Sequence, residues 1–116
     1  MLKAPSKNEI QLFEATQEAA IHYCRAVDER PDLADILTDK SAEESADALT
    51  YQWEYLGKRI EKKNVRPLDW LAYHVAEAED AMVNGKWDVA REKIFDSIAV
   101  LLRLDDAVRV AKEQIG

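Results

Sequence analysis

Ala46, Leu49, Trp53, Leu56 and Ile60 fall at alternating intervals of three and four residues, and the same rhythm returns in Leu68, Leu71, Val75, Ala78 and Met82. An α-helix turns once in about 3.6 residues, so each set lines one helical face that must meet another helix to leave water. Period-two alternation with β-branched enrichment, the mark of a strand, is absent from the sequence. The pattern predicts an all-α fold.

Capping and breaking residues divide the chain. Ser6 followed by Glu9 has capping-box spacing and predicts a first helix from about Lys7 to about Glu29, with the stripe Ile10, Phe13, Ala20, Ile21, Cys24 and Val27. Arg30-Pro31-Asp32 then breaks it, because proline disfavours a helical residue before it, and a short accessory helix is expected over Asp32 to Leu37. Ser41 with Glu44 repeats the capping box and opens a second long helix that ends in the run Glu61 to Arg66. Pro67 suits the first position of a third helix, and Asn84-Gly85 supplies its stop. A fourth helix, about Trp87 to Ile115, carries Ala90, Ile94, Ile98, Leu101, Leu102 and Val108 and is expected to be central. Short connections favour antiparallel neighbours. The expected architecture is a four-helix bundle with a short accessory helix, about five helices in all, in a single domain spanning residues 1–116.

Composition narrows the class. The chain has 116 residues, 23 acidic and 16 basic side chains for a net charge of −7, and only three glycines and three prolines, which excludes collagen-like and linker sequences. The longest apolar run, Ile98 to Leu102, is five residues, against the roughly 20 that cross a bilayer. A lone cysteine, Cys24, cannot form an internal disulfide and is expected to be a buried small hydrophobe. A reducing, cytoplasmic setting without a membrane follows as the expectation.

Residues able to carry chemistry are few. His22 and His74 lie far apart, no Cys-x-x-Cys occurs, and Gly57 and Gly85 are isolated, so the spacing offers neither a zinc motif nor a phosphate-cradling loop. Large aromatics favour core packing, the expectation for Trp70, Tyr73 and His74. One carboxylate set stands out: Glu77 and Asp80 are three apart on one face, and Glu92 and Asp96 are four apart on the next helix. Oxygen ligands of this kind suit Mg²⁺. This stretch resembles the MazG-like all-α nucleoside triphosphate pyrophosphohydrolases, whose pattern is Glu-x-x-Glu followed by Glu-x-x-Asp. The resemblance implies Mg²⁺ held by Glu77, Asp80, Glu92 and Asp96. The sequence departs from the pattern, with Asp80 in place of the second glutamate and Lys93 three before Asp96. An ammonium there opposes cation binding, whereas an ion pair between Asp96 and Arg103 accounts for the same carboxylate without a metal.

Charge is distributed more distinctively than any motif. From Asp28 to Asp47 there are eight acids and two bases; from Lys58 to Arg66 there are five bases and one acid. The acids Asp32, Asp35, Asp39, Glu43, Glu44 and Asp47, with Tyr51 and Tyr55 one turn apart beyond them, form the candidate partner-binding face. An acidic face steers a basic partner and rejects wrong ones. The expected function is therefore non-enzymatic: protein–protein binding to a larger basic or nucleic-acid-binding protein, without cofactor. In size and charge alone the chain is similar to phage-type inhibitors of nucleic-acid machinery such as anti-CRISPR proteins. The net negative charge disfavours direct nucleic-acid binding. Two alternatives stand beside this reading: the MazG-like hydrolase, and a structural bundle that forms a homodimer.

Overall fold

A computed structural model describes residue 4 and residues 6–29 and 39–115. Among these the fold is all-α, with four helices in the order α1 (Lys7–Glu29), α2 (Asp39–Glu61), α3 (Pro67–Val83) and α4 (Trp87–Ile115). The expected accessory helix at residues 32–37 lies outside the described residues. Two compact units can be distinguished. One holds α2, α3 and α4 as far as Leu101; the other holds α1 and α4 from Leu102 onward.

Helix ends follow from local chemistry. The Glu9 N–H donates to Ser6 Oγ at 3.2 Å, so α1 is capped where its sequence proposes. Helix α2 starts at Asp39, earlier than Ser41, which places that serine inside the helix rather than at its cap. Helix α3 closes with paired bonds: Gly85 N–H to the Met82 carbonyl at 3.1 Å and Lys86 N–H to the Ala81 carbonyl at 2.9 Å. This Schellman arrangement needs a left-handed residue, and Gly85 supplies it at φ 71°. Helix α2 ends with the same pair of bonds, from Lys63 N–H to Ile60 at 3.0 Å and from Asn64 N–H to Arg59 at 3.0 Å. There the left-handed residue is Lys63, at φ 54°, where a side chain is strained.

Helices α2 and α3 pack antiparallel. Arg59 near the end of α2 meets Asp69 near the start of α3, and Ser45 near the start of α2 donates to Glu79 far along α3 at 3.4 Å. The line of α2 turned toward α3 is Ser45, Leu49, Gln52, Leu56 and Arg59, with Ser45 and Leu56 buried and the others half-buried. It shares Leu49 and Leu56 with the seam expected from hydropathy, but Trp53 (67% exposed) and Ile60 (50% exposed) stand outside it. At about 100° per residue, the packed line is turned by about 60° from the expected seam. Along α3, Ala76, Ala78 and Ala81 are buried while Leu68 and Val75 are exposed.

Helix α4, expected to be central, has few buried residues. Ala90 and Ser97 are its buried residues, and Ile94, Ile98, Leu101 and Val108 are exposed. Its covered side is the line through Ala90, Lys93 and Ser97, and Lys93 reaches Glu77 of α3 at 3.5 Å. Helix α1 forms over the expected residues, yet none of its residues is buried and Cys24 is exposed. Among the described residues the buried apolar side chains are four alanines and Leu56, and many large apolar side chains are exposed. No described helix is long and apolar enough to cross a membrane.

Exchanging the left-handed residues tests these helix ends. Gly85→Ala should destabilise by about 1 kcal/mol, whereas Lys63→Gly should leave stability unchanged or raise it by up to about 1 kcal/mol. Urea unfolding of the two variants checks both signs.

Candidate protein-binding surface

The geometry of α2 is fixed at its C-terminal end by a buried carboxylate. Asp69, 3% exposed, accepts the Arg66 backbone N–H on Oδ2 at 2.8 Å and the Arg59 Nε–H on the same oxygen at 3.3 Å. Arg66 Nη2 lies 3.4 Å from Asp69 Oδ1 and donates to the Tyr55 hydroxyl at 3.0 Å. Arg59 also sits over the Tyr55 ring, 5.6 Å from its centre. The backbone N–H of Arg66, followed by the two guanidinium groups, holds the Asp69 carboxyl below the ordinary aspartate range against the opposing effect of its burial. Hydrogen bonding to Asp69 and the neighbouring Tyr55 raise the Arg66 guanidinium further. One carboxylate thus joins the end of α2, the connection and the start of α3.

Tyr51 and Tyr55 stack one turn apart with ring centres 6.3 Å apart and planes 11° apart. Tyr51 is exposed and Tyr55 half-buried. Of the acids placed on the binding face by sequence, Glu43, Glu44 and Asp47 are exposed on α2 ahead of this pair. Asp32 and Asp35 lie outside the described residues, as does the side chain of Asp39, whose backbone begins α2.

The opposite flank of α2 carries a feature that the hydropathy pattern concealed. Ala46, Thr50, Trp53, Gly57 and Ile60 are all exposed, and they repeat the intervals of four and three one residue beyond the line that meets α3. A depression of about 420 Å³ runs beside them, lined by Trp53, Leu56, Gly57 and Ile60 together with Glu54, Lys58 and Glu61. On its other side Trp53 borders a smaller cleft of about 280 Å³ that it shares with Leu49, Thr50, Tyr73 and Glu77. Reading Ala46, Trp53 and Ile60 as part of an inward seam hid this surface; the signal that could have shown it is Gly57, a helix-interior glycine where no turn is needed.

The carboxylates of the Mg²⁺ alternative are engaged otherwise. Glu77 faces His74 Nδ1 at 3.3 Å and Lys93 Nζ at 3.5 Å, and Lys93 stands 4.0 Å from Asp96. The basic neighbour of Asp96 is therefore Lys93 rather than Arg103. Asp80 accepts from the Asn84 side chain at 3.4 Å, and Glu92 is exposed. Glu77, Asp80, Glu92 and Asp96 are not brought together: among the described residues no three His, Cys, Asp or Glu side chains are placed to hold a metal ion. His74 belongs to a ring cluster with Trp70 and Tyr73, at 6.1 Å and 5.8 Å between centres. Trp70 is exposed there and Tyr73 and His74 are half-buried, so the cluster is not a core.

No protein-family model, curated protein or solved structure matches this chain.

Because the native pKa of Asp69 is depressed, its stabilising contribution is fully present above the unfolded-state value near 3.9 and is lost as pH falls from there through the lower native value. Asp69→Asn should cost about 1–3 kcal/mol at neutral pH. Denaturant unfolding from pH 7 downward should show the wild-type advantage shrinking only below about pH 4. An advantage that stays constant down to strong acid would count against this role.

Proposed function

We propose that this protein acts by docking on another protein rather than by catalysis. The observation that supports this reading is the two-sidedness of α2: one heptad line is covered by α3, and the next, through Trp53 and Ile60, faces outward beside exposed acids. An exposed apolar line with a charged border is what a helix needs to meet a second polypeptide.

The partner in this reading is basic. Glu43, Glu44 and Asp47 present carboxylates that pair with lysine and arginine, and arginine–carboxylate pairs add geometric selectivity. On a nucleic-acid-handling partner those same side chains would hold phosphates, so occupying them inhibits the partner by occlusion. The large apolar residues around Trp53 supply affinity and the acids supply steering and choice of partner.

Affinity capture of the tagged protein from lysate at low and high salt should recover a stoichiometric basic protein whose retention weakens with salt. The combined variant E43K/E44K/D47K should lose that protein while its circular dichroism is unchanged. Retention that ignores both the salt and the charge reversal would overturn the acidic-face reading.

A further inference from the structure

Gly57 sits in the interior of α2, four residues from the helix end, in ordinary helical backbone. A glycine there costs roughly 1 kcal/mol relative to alanine, and a Cβ added at this position would meet nothing within 4 Å. Neither a turn nor close packing among the described residues therefore calls for glycine. What a missing side chain provides at an exposed helical position is close approach by another backbone.

The surroundings describe what approaches. Gly57 forms the floor of the depression, with Trp53 one turn before and Ile60 one turn after as an apolar wall. Glu54 and Glu61 lie on the opposite side of the floor, and exposed Glu43 and Asp47 continue that border toward the start of α2, with Lys58 the base among them. Toward the start of α2, exposed Ala46 and Thr50 continue the line of small residues at the same spacing along the helix axis, outside the depression itself. Line and depression together have the form of a channel that receives a helix: holes at Ala46, Thr50 and Gly57, knobs at Trp53 and Ile60, and a net negative border.

We propose that this channel binds an amphipathic helix of a partner protein whose apolar stripe is flanked by lysine or arginine. The inference rests on the protein-binding reading and assigns it a site and an occupant. A second copy of this chain is a poorer fit, because antiparallel pairing of α2 with itself brings Glu43 of one copy toward Glu61 of the other and Glu54 near its own counterpart.

Two synthetic amphipathic helical peptides of about five turns, with one leucine stripe and either lysine or glutamate flanks, test this by calorimetric titration. The lysine peptide should bind the full chain and the glutamate peptide should not. Gly57→Leu, which fills the floor, should weaken binding at least tenfold without lowering the melting temperature, and Glu54→Lys with Glu61→Lys should weaken it similarly. Gly57→Ala should raise the melting temperature by a few degrees. No binding of the lysine peptide, equal binding by Gly57→Leu, or a wild-type dimer in sedimentation equilibrium that Gly57→Leu abolishes would each overturn the proposal. The captured partner separates the two levels: if Gly57→Leu still retains a protein that E43K/E44K/D47K loses, the channel assignment fails and the protein-binding reading stands.

Discussion

A single buried carboxylate sets how the rest of this chain is presented. Asp69 accepts a backbone N–H from Arg66 and a guanidinium N–H from Arg59, so the end of α2 and the start of α3 share one anchor. Hydrogen bonds to a charged acceptor in a dry setting are worth about 1.5–3 kcal/mol, more than an exposed ion pair supplies. The rotational consequence matters as much as the energy. With Arg59 held toward α3, the positions three and four residues earlier, Leu56, Gln52, Leu49 and Ser45, follow it inward. Trp53, Gly57 and Ile60 are then obliged to face outward.

The interior that results is built from small residues. Ala76, Ala78 and Ala81 of α3, Ala90 and Ser97 of α4 and Ser45 of α2 are covered, with Leu56 the large apolar side chain among the buried residues. Small residues carry little hydrophobic stabilisation each, since transfer free energy scales with apolar area. The large residues that would contribute most, among them Trp53, Trp87, Phe95 and Leu101, are exposed instead. Lys93 between Glu77 and Asp96 shows the same division on α4, where a charged side chain rather than an aliphatic one reaches α3. Much of the apolar surface of the described residues is therefore exposed.

The helices were legible in the sequence and their faces were not. Period and punctuation placed three helix starts and all four ends, because proline at Pro67, the capping pair at Ser6 and the left-handed glycine at Gly85 act locally. The second helix begins at Asp39, before the capping pair read at Ser41 and Glu44. Rotation about the helix axis depends on tertiary contacts. Hydropathy favoured Ala46, Trp53 and Ile60 as the inward seam, whereas the packed line includes Ser45, Gln52 and Arg59. Their polarity is accommodated by Glu79 and Asp69 across the interface, partners that no local pattern reveals. On α4 the expected stripe and the covered line share Ala90, from which the covered side turns toward Lys93 and Ser97 and away from Ile94 and Ile98. The candidate binding surface was partly visible as exposed acids and stacked tyrosines on α2, while the channel floor at Gly57 required the coordinates.

The orientation of α2 is the claim on which the binding surface stands, and a paired truncation tests it most directly. Leu56→Ala and Trp53→Ala, compared by urea unfolding of the full chain, remove one residue from each line. The account predicts a loss of about 2–4 kcal/mol for Leu56→Ala and less than about 1 kcal/mol for Trp53→Ala, whose ring is largely in water. A Trp53→Ala loss as large as that of Leu56→Ala would place Trp53 in a core and contradict the account.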